Sequence, residues 1–230
     1  MTQARPSTSN TTNPARKIRI VLWILLGAII GAGLIWYAVF TVKKPEPVAA
    51  QPVSEAQLVR EDSHRLTSPA TEKAQLVEFL DFECESCRAA APLVDELKKE
   101  YGDRITFVNR YFPLPGHKNS GQAALAVEAA AQQGKYEAMA AKMFETQPQW
   151  GENQDFQNAL FRTFAEELGL DVGKYDAAVT AEESKERIRA DIADGKALGV
   201  TGTPTFFLNG KKLSLTSEDQ FRQMLDDAAK

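Results

Sequence analysis

Between Ile20 and Val42 the chain runs for 23 residues without a charge, IVLWILLGAIIGAGLIWYAVFTV, and this run divides everything else into a short tail and a long outer part. At about 1.5 Å per residue, a helix of this length exceeds the ~30 Å hydrocarbon core of a bilayer. Trp23 near one end, and Trp36 with Tyr37 near the other, suit the two membrane interfaces. A buried soluble helix is a poor alternative, because the run is apolar on all faces and far from other core sequence. A cleaved signal peptide has a shorter apolar region, and the "VAA" before Gln51 that could be cut lies beyond Lys43, Lys44, Pro45 and Pro47. Residues 18–42 are therefore expected to form one transmembrane signal-anchor helix, and the Thr-, Ser- and Asn-rich residues 1–17 a disordered tail. Arg5, Arg16, Lys17 and Arg19 precede the run and only Lys43 and Lys44 follow it closely, which places the tail in the cytoplasm. Gly27 and Gly31 form a GxxxG, a motif that packs membrane helices in pairs and also arises by chance in Gly-rich spans.

Residues 1–42 hold four basic and no acidic side chains, so the outer part keeps 23 of the 27 Lys and Arg against all 31 Asp and Glu, a net charge of −8. Binding nucleic acid requires neutralising phosphates, and no basic stripe is present to do it. Residues 43–56, "KKPEPVAAQPVSEA", carry three prolines and read as an extended extracytoplasmic linker. About 170 residues then remain, enough for one domain with a good core.

The only two cysteines, Cys84 and Cys87, lie within "FLDFECESCRAAAP". A structural zinc site needs four ligands, and His64 and His117 do not complete one at finger-like spacing, so no metal is expected. A permanent staple across so short a loop would stabilise little. A dithiol that opens and closes is the reading that remains.

"QLVEFL" (75–80) is a short apolar run suited to a buried strand, and "RITFVNRYF" (104–112) is a second. A helix begins at the cysteines, with Leu93, Val94 and Leu97 at helical spacing and Pro92 in its interior. Ala-rich helices follow at roughly 119–133, 135–146, 153–168, 171–180 and 183–198. "TPTFFLNGKKLSL" predicts a hairpin around Asn209-Gly210, and "SEDQFRQMLDDAA" a closing helix capped by Ser217. Trp150, Phe156, Phe161 and Phe164 are expected in the core of the helical block. The class is α/β, with one core interrupted by a helical insertion.

Two stretches, "VEFLDFECESCRAAAP" and "VTGTPTFFLNG", resemble the signature segments of the thioredoxin superfamily. With a long helical block between them, the chain is most similar to the DsbA-like branch of membrane-anchored thiol–disulfide oxidoreductases. The resemblance implies a thioredoxin fold from residues 57–115 and 199–230, with 116–198 as the inserted helical domain. It implies a cis peptide before Pro204, facing the cysteines, with Thr203 offering backbone groups to an extended substrate. It also implies that an acid at Glu78 relays a proton to or from Cys87, and that Pro92 kinks the active-site helix.

The residues support those roles on physical grounds. Cys84 at a helix N-terminus sits where unpaired N–H groups favour an anion, which suits a nucleophile. Cys87, one turn on and shielded, suits the resolving thiol. Glu78 on a buried strand is expected to have a raised pKa, with Arg110 as one candidate partner. Glu85 and Ser86, between the cysteines, stand where strongly oxidising relatives often carry Pro-His. The Glu85 charge is expected to raise the Cys84 pKa, partly offset by Ser86. His117 is either a loop hydrogen-bonder or part of the groove rim.

The expected function is extracytoplasmic donation of the Cys84–Cys87 disulfide to unfolded or reduced exported proteins, with no cofactor beyond the cysteine pair and a membrane redox partner to recycle it. The alternatives are a reductase or isomerase of the same fold, and a tethered holdase in which the disulfide is incidental.

Overall fold

The computed structural model describes Trp23, Leu25, Gly31 and residues 56–230. The chain forms two units, residues 1–52 and 53–230. In the first, Trp23, Leu25 and Gly31 are helical. The rest of the expected membrane span, its GxxxG partner Gly27, the tail and nearly all of the linker lie outside the described residues. Among the described residues no helix is long and apolar enough to cross a membrane.

The second unit is built on β1 (His64–Arg65), β2 (Ala74–Leu80), α1 (Glu85–Tyr101), β3 (Ile105–Tyr111), α2 (Ser120–Ala131), α3 (Tyr136–Trp150), α4 (Asn158–Glu167), α5 (Val172–Thr180), α6 (Glu182–Ala197), β4 (Thr205–Leu208), β5 (Lys211–Lys212) and α7 (Glu218–Ala228). The sheet order is β1-β3-β2-β4-β5. β2 and β3 pair in parallel, the arrangement that requires a crossover such as α1. β4 pairs antiparallel with β2, and β5 with β4.

Both faces of this sheet are covered, which is why β2 and β3 read as almost continuous apolar runs. Leu76, Ile105, Phe107, Phe206 and Leu208 pack with Val94, Leu97 and Tyr101 of α1 and with Phe221 and Leu225 of α7. Val77, Phe79, Val108 and Phe207 face the other way, with Phe112 and Val200. Gly195 of α6 lies so close to that second layer that a Cβ there would meet the Phe112 ring at 2.7 Å and Phe79 at 3.1 Å. The helical block has its own core, in which Trp150 and Phe161 meet edge to face at 4.9 Å between centroids.

The Asn209-Gly210 turn takes positive φ at both residues (48° and 82°), the geometry a two-residue hairpin favours. The Asn209 side chain also accepts from the Gln75 amide at 2.9 Å, tying the turn to β2. Ser217 caps α7 through the Gln220 amide. Three expectations need correction, and one element was not foreseen. The edge strand β1 carried no sequence signal, since two residues cannot display a period. The helix expected from 153 begins at Asn158, because the buried Asn119 side chain holds the preceding loop through the carbonyls of Asn153 and Asp155 and the amide of Gln157. Phe156 in that loop is 58% exposed rather than core, with the Lys118 ammonium 4.3 Å above its ring. Arg110 is not the partner of Glu78. The register pairs Glu78 with Asn109 and Phe79 with Arg110, so Arg110 points to the opposite face. There it binds Asp191 at 2.8 Å and Asp194 at 2.7 Å and donates to the carbonyls of Gln57 and Leu58.

Candidate active site

The site forms where β2 ends and α1 begins. Cys84 is the N-cap of α1, in an extended conformation (φ −72°, ψ 121°), and Cys87 lies in the first turn. Both are free thiols. Cys84 is 7% exposed and Cys87 1%, so a partner meets Cys84 first. The Cys84 thiol donates to the Thr203 carbonyl across the groove at 3.3 Å. The Thr203–Pro204 peptide is cis, and Thr203 and Pro204 are half-buried beside Cys84. Glu85 and Ser86 are exposed on the outer side of the first turn.

The two thiols are driven in opposite directions. A hydrogen bond from Cys87, then the Thr203 hydroxyl and the backbone N–H groups of Cys87 and Ser86, bring Cys84 down to about 5 against the pull of burial. The expected rise from Glu85 is not what the site yields. An exposed carboxylate is screened by water, whereas the donors aimed at the sulfur are not. Cys87 is pushed up, by burial first, then by the hydrogen bond its thiol makes to Cys84 and by the carboxyl of Glu78, although the Asp81 amide donates to its sulfur at 3.5 Å. Glu78 is 6% exposed and raised to about 8, through burial and then the charge of Asp95. It shares a cavity of about 750 Å³ between α1 and α3 with Asn109, Pro92, Tyr136 and Phe144.

Three further side chains shape the site, and sequence reasoning missed them. Asp81 is buried and touches both cysteines through its backbone: its carbonyl accepts from Cys84 N–H at 3.1 Å and its amide points at Cys87. Its carboxylate accepts from the amides of Glu83 (2.8 Å) and Leu114 (2.9 Å) and pairs with His117 Nδ1 at 2.6 Å. Glu83, also buried, accepts from the amides of Asn119 (2.6 Å) and Glu152 (3.0 Å), fastening the cysteine loop to the helical block at two points. Gln147 of α3 donates to the carbonyls of Phe82 (2.7 Å) and Cys84 (3.0 Å) and accepts from Arg88. Two acids inside the otherwise apolar "FLDFE" were a readable signal, because a buried carboxylate requires partners. Nothing local distinguishes Gln147.

The sequence matches the thioredoxin family over residues 67–227. Among solved structures, a thioredoxin-like oxidoreductase from Silicibacter pomeroyi DSS-3 superposes with a TM-score of 0.63 at 27% identity, over 76% of this chain and 96% of that one. The α-DsbA1 protein of Wolbachia pipientis superposes at 0.65 and 18% identity, over 74% and 92%, a likeness of fold. A Na(+)/H(+) antiporter, NhaA 1, of Mycobacterium sp. (strain KMS) is 32% identical over 207 residues, covering 87% of this chain and 32% of the antiporter. The chain thus spans about a third of the length of such relatives. On the extent of the family match and the shared architecture, the chain belongs to the thioredoxin family, with the fold of DsbA-like thiol–disulfide oxidoreductases.

Proposed function

We propose that this chain is a membrane-anchored, extracytoplasmic thiol–disulfide oxidoreductase that donates the Cys84–Cys87 disulfide to exported proteins. The carrying observation is the asymmetry of the pair: the less buried Cys84 at about 5 beside a more deeply buried Cys87 pushed the other way. A substrate thiolate attacks Cys84 Sγ, the S–S bond breaks, and Cys87 leaves with the electron pair. Glu78, which holds its proton at neutral pH, supplies that proton to Cys87. A second substrate thiolate then attacks the substrate sulfur of the mixed disulfide, and Cys84 departs as a thiolate. The substrate loses two electrons and the protein gains them. A low-pKa leaving thiolate favours this direction, because it stabilises the reduced protein.

Residues 18–42 serve as the retained anchor in this reading, with residues 57–230 outside and a membrane redox partner restoring the disulfide. Thr203 and Pro204 line the substrate groove with Glu85 and Ser86 at its edge, and the cysteine pair is the only redox group required. The test is the reduction potential of the pair, equilibrated against glutathione with the full chain in detergent. A value near about −120 mV supports donation, and one near about −270 mV supports the reductase reading and removes the oxidase. A second reading is favoured by the antiporter relatives: the same module acting on cysteines of a membrane transporter. Cys87→Ser, which traps mixed disulfides, separates the two by whether soluble exported proteins or a transporter are captured. Cys84→Ser separates both from a holdase, since binding without exchange survives it.

A further inference from the structure

His117 is an ionisable group beside the cysteine loop that the exchange chemistry above leaves unused, and it is bound to Asp81, whose backbone touches both cysteines. It lies in the loop after β3, 29% exposed, with Nδ1 on the Asp81 carboxylate at 2.6 Å. Its loop is itself fixed: the His117 amide donates to the Leu114 carbonyl, Ser120 Oγ donates to the His117 carbonyl, and the Leu114 amide donates to Asp81. Asp81, at the end of β2, touches the ring, and Cys84 N–H binds the Asp81 carbonyl at 3.1 Å, so the ring and the nucleophile share this one neighbour; Glu83 and Cys84, on the following loop, add their charges to that of Asp81. Its neighbour Lys118 is drawn away over the Phe156 ring. The imidazole thus faces anions and is oriented by one of them.

We propose that the Asp81–His117 pair is a positioning element that couples the charge of Cys84 to that of His117, so that the nucleophile holds its thiolate most firmly while His117 is protonated. Resting on the oxidoreductase reading, this gives the nucleophile a titratable cation held by Asp81, where the residues between the cysteines, Glu85 and Ser86, supply none. Burial pulls the His117 pKa down, yet the bond to Asp81 and the charges of Asp81, Glu83 and Cys84 outweigh it and hold the ring above its ordinary 6.5. A Coulomb interaction is symmetric: whatever the thiolate does to the imidazolium, the imidazolium does to the thiolate. When Cys84 enters a mixed disulfide its charge is gone, and His117 then releases its proton more readily.

The chain has two histidines, so the test is direct. The full reduced chain in detergent, labelled with ¹³C in the histidine rings, is titrated by NMR as wild type and as Cys84→Ser. The rate of Cys84 alkylation by iodoacetamide is followed against pH in wild type and His117→Gln, which keeps a donor for Asp81 but carries no charge. We expect the His117 midpoint to fall by about 0.3–1 pH unit in Cys84→Ser, and the Cys84 midpoint to rise by the same amount in His117→Gln. The second shift slows alkylation about 1.5- to 5-fold at pH 5. A His117 midpoint that is the same with and without the thiolate overturns the coupling. So do unequal shifts, which signal rearrangement rather than charge. Neither readout requires exchange with a protein substrate; exchange with a dithiol peptide, run in parallel, tests the parent reading alone.

Discussion

Replacing Glu78 by Gln should make the second unit more stable, and increasingly so as pH rises. The carboxyl is held near 8 in the folded protein against an ordinary 4.5. Below 4.5 both folded and unfolded chains carry the proton and nothing is lost. Between 4.5 and 8 the unfolded chain ionises while the folded chain does not, so stability falls with pH at about 1.4 kcal/mol per pH unit. The deficit reaches about 3 kcal/mol at pH 7 and about 5 kcal/mol well above pH 8. Glutamine has the shape of the protonated acid and no charge to release, so its variant escapes that loss. Guanidinium unfolding of residues 53–230 under reducing conditions, at pH 5, 7 and 8.5, gives the comparison. The Cys84 titration is common to both proteins and cancels in the difference, which should widen by about 4 kcal/mol from pH 5 to 8.5. Parallel pH curves would refute the reasoning. Glu78 would then ionise like an ordinary carboxylate and could not hold a proton for Cys87 at neutral pH.

Gln147→Leu leaves the Phe82 and Cys84 carbonyls without their donor and should cost about 1–3 kcal/mol in denaturant unfolding; an unchanged midpoint would show that water replaces the amide. Arg110→Met strands Asp191 and Asp194 in the interior and should cost about 3–5 kcal/mol at pH 7. That loss should shrink as the medium is acidified and the carboxylates take up protons. Gly195→Ala drives a methyl into Phe112 and Phe79 and should cost about 1–3 kcal/mol, read as a lowered Tm.

The amino-acid order alone determined the elements whose signal is local. The apolar runs of β2 and β3, the Ala-rich helices, the Asn209-Gly210 turn and the Ser217 cap each follow from the preferences of a few adjacent residues. The placement of Cys84 at a helix start, with Cys87 shielded behind it, is legible for the same reason. Partnership is not legible, because it depends on register between distant strands and on which helix returns to which loop. One step of register sends Arg110 to Asp191 and Asp194 and leaves Glu78 over the cavity. The helical insertion supplies Gln147 to carbonyls more than sixty residues away and binds Glu83 through amides of Asn119 and Glu152. Asp81 and His117, thirty-six residues apart, meet only when the loop after β3 closes on the end of β2. Local sequence chooses which face a side chain presents. Only the folded chain decides what stands opposite it, and at this site that sets the charge on each sulfur.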